Sequence, residues 1–346
     1  MKMIEEIWNL EWHWDPSLFL LTIHVFPHRT FIIRTCAINE KLFPYLAGLC
    51  CFNVLLGQNA PLKARVNSIK SLPAGLEKLA SHLEAVSEGR FVLDFNRLGD
   101  CPQLKTSDKK ILLFSGGKDS IWQLNYLTKS HTPSELSLLY VSGTTVAGEY
   151  VQELTTVKKI SKGINLHTVS VESFDYSSIG LNFHYRPRWR SLMLIGFARM
   201  FSDEIWTGIS NDKRYITGNG LAKEDRLNFF SETPQTLQIL AKMLNCNIWL
   251  SPSESYCFFD IESQKYPYRS CYSPDIICSP ETDFENSCWK CRTLLIYRKI
   301  GKGESLNNKE EAFFNSDNWL GDDKEEIIRN VKKSKSSTPV CIVGKH

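Results

Sequence analysis

Two short stretches carry residue types at spacings that could do chemistry. The first is Ser115-Gly116-Gly117-Lys118-Asp119-Ser120, directly after the apolar run Ile111 to Phe114. A strand, a tight Gly-Gly turn and a helix start in that order leave backbone N–H groups unpaired at a helix N-terminus. The helix dipole favours an anion there. Gly116 and Gly117 carry no Cβ, so the chain can bend sharply and a phosphate can approach the backbone. Ser115 and Ser120 place hydroxyl donors on either side, and Lys118 is a further catalytic candidate in the same turn. Asp119 suits such a site if it caps the turn or holds a magnesium ion that bridges to the phosphates. The stretch is not a Walker A loop, because Asp119 follows Gly117-Lys118 and Leu112 stands where that loop has glycine. A plain Gly-Gly turn in a doubly wound sheet is the competing reading.

The second stretch is rich in cysteine, with Cys257, Cys271, Cys278, Cys288 and Cys291. Cys288-Trp289-Lys290-Cys291 has the C-x-x-C spacing that lets one turn supply two thiolates to zinc. Cys271 and Cys278 are the nearest pair able to complete a tetrahedral site, and Pro274, Pro280 and Glu281-Thr282-Asp283 between the pairs read as loop. With every position filled by protein, the zinc would be structural. A redox C-x-x-C is the alternative, although no thioredoxin-like unit surrounds it. Between the two stretches lies His184-Tyr185-Arg186-Pro187-Arg188-Trp189-Arg190-Ser191, with three arginines in five positions. Arginine suits phosphate and carboxylate, and Arg190 is favoured, with Arg188 next.

Positioning these groups calls for an α/β fold. From Lys109 the pattern alternates strand and helix, the signature of a parallel sheet with helices on its faces. Strands are expected at Leu136 to Val141, Asn165 to Val171, Glu204 to Ser210 and Asn247 to Leu250. Helices are expected at Val146 to Lys162, Ser191 to Phe201 and Pro234 to Asn245. Ligands in such sheets bind outside the carboxyl ends of the strands, which places Ser142, Thr144 and Glu172 near a nucleotide. Asp212 would contact substrate or metal, or simply form an Asx turn.

Residues 1–105 have a different texture and read as a small α+β domain. Leu18 to Phe26 and Thr30 to Ile38 suggest a hairpin, Leu42 to Leu56 an apolar helix, Ala74 to Ser87 an amphipathic one, and Phe91 to Phe95 a strand. Trp8, Trp12 and Trp14 could form a base-stacking platform, but aromatic packing is the favoured reading. Cys50-Cys51 reads as buried filler. Gly99 to Asp108 is the expected linker, residues 109–300 the catalytic domain, and 301–346 a C-terminal helix at about Asp322 to Lys333 with a polar tail.

The whole chain of 346 residues is 42% hydrophobic and 23% charged, values of a globular protein. A net charge of +3 does not by itself argue for nucleic acid. The start lacks a signal-peptide apolar stretch, and the most apolar window, Leu42 to Gly57, is too short to span a bilayer. A cytoplasmic location is therefore expected, in which eleven cysteines would be thiols or metal ligands.

Strand-Ser-Gly-Gly-x-Asp-Ser-helix resembles the PP-loop of the ATP pyrophosphatase (adenine nucleotide α-hydrolase) superfamily. The resemblance implies cleavage of ATP between the α and β phosphates, with AMP passing to a substrate oxygen and pyrophosphate held in the loop. Ser270-Cys271-Tyr272 with Cys288-Trp289-Lys290-Cys291, and Pro187 through Arg190-Ser191-Leu192, are similar to the 7-cyano-7-deazaguanine synthase (QueC-like) branch over residues 109–300. Gly208-Ile209-Ser210-Asn211-Asp212 resembles that family's strand-end Gly-Val-Asn segment. The spacing of Cys278 departs from the family, and Arg214 to Gly220 replaces its Tyr-Pro-Asp-Cys-Arg substrate stretch. With an N-terminal extension, the chain looks more like extended family members from bacterial anti-phage gene clusters, where a related ligase chemistry acts on a macromolecule. The resemblance implies ATP, Mg2+ and Zn2+, a protein partner more than RNA, and no membrane; a homo-oligomer is compatible with it. A synthase making the free deazapurine, a PP-loop tRNA thiolase and an ATP-binding scaffold without turnover are the alternatives.

Overall fold

The computed structural model describes residues 3–36, 39–58, 60–99, 104, 109–142, 154–155, 157–175, 187–210, 227, 230–252, 284–286, 289–317, 319, 323–334 and 338–344. Five apolar runs of the second half form parallel strands: β8 (Lys110–Leu113), β9 (Leu136–Ser142), β10 (Asn165–Asp175), β11 (Glu204–Ser210) and β12 (Asn247–Ser251). Their order across the sheet is β10-β9-β8-β11-β12. The first strand in sequence thus lies at the centre, and the chain reverses direction of travel between β8 and β11, as in a Rossmann-like core. Ile111, Leu112, Leu138 and Ile205 are almost fully buried, as expected of strands covered on both faces.

The first hundred residues continue the same sheet. Strands β1 (Ile4–Asp15), β2 (Leu20–Phe26) and β3 (Arg29–Thr35) form an antiparallel meander, and β3 pairs antiparallel with β10, from Thr35 opposite Val169 to Arg29 opposite Asp175. On the other side of β1 lie β4 (Leu62–Ser68) and β6 (Phe91–Phe95), both parallel to it. A short ladder of β5 (Leu72–Pro73) and β7 (Leu98–Gly99) stands beyond their carboxyl ends. With β13 (Val340–Ile342) antiparallel on β12, the sheet has 11 strands. Following the pairings from β10 through β3 and β2 to β1 inverts direction three times. The β1-β4-β6 section therefore runs opposite to the β8–β12 section, and the two sections have their carboxyl ends at opposite ends of the sheet.

Helices α1 (Phe43–Leu56), α2 (Gly75–Val86), α4 (Pro187–Arg199) and α5 (Pro234–Leu244) share one apolar core on one face. Helix α3 (Lys118–Thr128) and the helical residues 154–155 and 157–160 cover the other face of the β8–β9–β11 region. Helix α1 is apolar on every side and is buried almost throughout, wedged between the meander and α4. Cys50 and Cys51 are fully buried within it, and burial pushes both thiols well above their ordinary range. Gly48 lets α1 approach α2, because a Cβ there would lie 2.3 Å from Leu76 Cδ1.

The tryptophans of the first strand pack. Trp8 is buried, Trp14 lies 5.2 Å from the Phe43 ring, and Lys70 Nζ sits 5.2 Å over Trp12. Residues 99–108, read as a linker, begin inside β7, and Leu104 is 5% exposed. The C-terminal part holds more order than its polarity suggests. Helices α6 (Trp289–Lys302), α7 (Asn308–Phe314) and α8 (Lys324–Ser334) gather around Ile296, Tyr297, Ile300 and Ile327. Glu310 caps α7 and accepts from Lys299 Nζ at 2.7 Å. Among the described residues no helix is long and apolar enough to cross a membrane.

Candidate functional site

The turn after β8 is built by ladder geometry. Phe114 N–H donates to Leu139 O at 2.9 Å, the last bond before the chain leaves the sheet. Gly116 follows at φ +75°, a left-handed conformation in which any side chain is strained. Gly117 is extended at φ −75°, ψ 161°, and serves as the N-cap of α3 with no side chain capping it. Its carbonyl accepts from Ile121 N–H at 3.0 Å and from Ser120 Oγ at 2.9 Å. The N-terminus of α3 thus stands beside the carboxyl end of the central strand, where the strand order reverses.

The neighbouring strand is shaped to let this helix in close. The register of β11 against β12 shifts between Trp206 and Ser210, a bulge that frees Thr207 and Gly208 from regular pairing. A Cβ on Gly208 would lie 3.3 Å from both Asp119 Cβ and Ser120 N. Only a glycine lets the start of α3 sit against β11 without displacement. The bulged segment is held from three sides. Gln123 Nε2, fully buried in α3, donates to Thr207 O at 3.1 Å; Thr207 Oγ1 donates to Trp249 O at 3.1 Å; Ser251 Oγ donates to Ile209 O at 3.2 Å. The Oε1 of Gln123 is buried without a hydrogen-bond partner among the described residues.

The expected site residues divide into three sets. Ser115, Gly116, Gly117, Asp119 and Ser120 come together in the turn and the first turn of α3, and Ser142 ends the adjacent strand β9. Ser115 and Asp119 are half-buried there. Ser120 is 4% exposed and its hydroxyl is donated to Gly117 O, so it braces the turn from within. Ser142 Oγ donates to Val169 O at 3.4 Å, which ties it to β10. In the second set the backbone alone is described. Lys118 opens α3, Arg190 lies in the first turn of α4, and Cys291 lies in the first turn of α6. Because α4 leads from β10 to β11, its first turn is at the same end of the sheet as Gly116. The third set lies outside the described residues: Asp212, Thr144, Cys271, Cys278 and Cys288. Among the described residues no group of three or more His, Cys, Asp or Glu side chains gathers as a metal site.

Gln123 and Thr207 were not legible as site residues. A buried glutamine in an otherwise apolar helix face looks like a surface position when only the sequence is at hand. One further contact joins the flanking elements: Ser191 Oγ at the start of α4 donates to Glu232 Oε1 at 2.9 Å, in the short 3-10 turn Phe230–Glu232 before α5. No protein-family model matches this chain, and no curated protein matches it.

Proposed function

We propose that the protein is an ATP-dependent ligase of the PP-loop kind. It would adenylate a carboxylate or amide oxygen, release pyrophosphate, and pass the activated group to a nitrogen nucleophile. The observation that carries this reading is the left-handed turn at Gly116 between the central strand and the uncapped start of α3, at the point where the strand order reverses. An anion placed there meets unpaired backbone N–H donors and the positive end of a helix. Gly116 and Gly117 would cradle the pyrophosphate part, with Ser115 as a side donor and Ser120 holding the turn in shape. Asp119 would hold the magnesium, which supplies charge neutralisation on the phosphate oxygens when bound. In the reaction the substrate oxygen attacks the α phosphorus and the bond to the β-bridging oxygen breaks. Arg190, at the start of α4, and Lys118 would offset charge developing on the leaving pyrophosphate. The nitrogen nucleophile then displaces AMP.

The test is the product. Incubation with MgATP and a cell extract supplying the acceptor should yield AMP and pyrophosphate, separable by ion-exchange chromatography. ADP and phosphate as the main products would end the PP-loop reading.

Structural zinc belongs to the same proposal, on Cys271, Cys278, Cys288 and Cys291. Purified protein should carry about one zinc per chain with all positions filled by protein. Cys291→Ser should lose the metal and most of the soluble yield together, since a structural zinc contributes on the order of 10 kcal/mol to folding. A fully folded Cys291→Ser protein that keeps its zinc would remove Cys291 from the set. Replacing Cys50 and Cys51 by alanine should leave the zinc content unchanged.

A macromolecular acceptor, more simply a protein than RNA at a net charge of +3, fits the exposed surface of the first hundred residues. Alternate side chains of β1, β2 and β4 point away from the helices. Ile7 is 63% exposed and Phe26 37% exposed on that face, beside Arg65. Action in anti-phage defence is the setting that the family resemblance implies.

A further inference from the structure

We propose that the protein has a second ligand site, at the opposite end of the sheet from the Gly116 turn, that takes a small organic phosphate. The sheet direction motivates it. In open α/β sheets ligands bind outside the carboxyl ends of parallel strands, and this sheet has two parallel sections running in opposite directions. The β8–β12 section presents its carboxyl ends beside Gly116. The β1-β4-β6 section presents its own at the other end, where the β5–β7 ladder and the start of α2 lie.

A cavity of about 440 Å3 opens at that second edge, between α2 and α5. Its volume is in the range of small-molecule sites. Lys78 reaches it from α2, and Lys242 from the facing side of α5. Neither lysine makes an ion pair with a described residue, and no acidic side chain is among the described residues that line the cavity. Pro73, Ile239 and Met243 give the cavity apolar wall, Gln238 gives it polar wall, and Tyr45 of α1, 6% exposed, adds an aromatic ring.

The chemistry follows from this arrangement. Two ammonium groups carried by two different helices favour a dianion that can meet both over a monoanion that satisfies one. The apolar walls and the Tyr45 ring favour a ligand with a hydrocarbon or aromatic body over inorganic phosphate. Bound there, the ligand would bridge α2 of the first section to α5 of the second, elements that already share one core. The site does not depend on what the Gly116 turn binds.

The probe is phenyl phosphate, titrated calorimetrically into the full-length protein with a saturating non-hydrolysable ATP analogue present. One equivalent should bind, and benzoate, a monoanion of similar body, should bind about tenfold more weakly. The double variant Lys78→Ala/Lys242→Ala changes two exposed side chains and should keep its melting temperature while losing phenyl phosphate affinity by about tenfold or more. Met243→Trp, which fills the cavity, should abolish binding by a different route. Three results would each overturn the proposal: no binding to the unaltered protein at millimolar probe, undiminished affinity in a folded double variant, or loss of the probe when the ATP analogue is added. The last would place the probe in the Gly116 turn. Benzoate binding as tightly as phenyl phosphate would overturn the assignment to a phosphate.

Discussion

Asp119→Ala is expected to reduce ATP cleavage on the order of a thousandfold, the scale seen when a group stabilising transition-state charge is lost. Its melting temperature should stay within about 2 °C of the unaltered protein, because the side chain is half-buried in the first turn of α3 and alanine keeps the Cβ that lies against Gly208. Asp119→Asn should lose activity to a similar degree, since it keeps the shape and removes the charge that would hold magnesium. Higher magnesium should partly restore either variant if the carboxylate is a metal ligand. A different pattern would expose the competing role. As a first-turn carboxylate, Asp119 also complements the dipole of α3, an effect of about 0.3–1 kcal/mol. Full turnover with a lowered melting temperature in Asp119→Ala would mean that it stabilises the helix and leaves the chemistry to other groups.

Removal of residues 1–105 is expected to leave no soluble ATP-binding core. The change of topology near residue 105 is not a break in the core. Strand β3 supplies the antiparallel partner of β10, α1 packs along α4, and α2 packs on α5. Deletion would expose the edge of β10 as an unpaired strand, a template for aggregation. It would also strip α4 and α5 of their cover, leaving Leu192, Ile195, Leu237 and Leu240, now fully buried, facing water. Gly196 sharpens the dependence: a Cβ there would lie 2.9 Å from Leu46 and 3.0 Å from Leu49, so α4 is cut to fit α1. Expression of residues 106–346 with solubility and nucleotide-binding assays decides it. A soluble fragment that binds ATP as the full chain does would show that the first section is separable.

If an acceptor docks on the open face of β1, β2 and β4, single exposed substitutions there are the usable probes, because they leave the shared core intact.

Much of the second half was legible because its elements are decided locally. Strands Leu136–Ser142, Glu204–Ser210 and Asn247–Ser251 are bounded apolar runs, and α5 begins at Thr233-Pro234, where Thr233 Oγ1 accepts from Thr236 N–H at 3.3 Å. The Gly116–Gly117 turn was legible for the same reason, since a left-handed residue between a strand and a helix calls for glycine whatever surrounds it. Strand β4 carries a plain period-2 alternation, Leu62, Ala64 and Val66 inward and Lys63, Arg65 and Asn67 outward, yet it was not identified among the elements of the first section. Strand β1 is harder to read: residues 8–14 alternate, with Trp8, Leu10, Trp12 and Trp14 on one side and Asn9, Glu11 and His13 on the other, and its tryptophans were correctly read as packing residues, but no strand was assigned to them. What only the tertiary structure decided is everything carried by long-range pairing. That β3 joins β10, 134 residues apart at Thr35 and Val169, cannot be read from either segment, because any exposed strand edge offers the same row of N–H and C=O groups. The opposed directions of the two parallel sections follow from that junction together with the antiparallel meander β3-β2-β1. The place of Gly208 against Asp119 and the cavity between Lys78 and Lys242 are likewise products of tertiary packing, of β11 on α3 and of α2 beside α5. Backbone propensity is set within a few residues, whereas which edges and faces meet is set by the burial of the whole core.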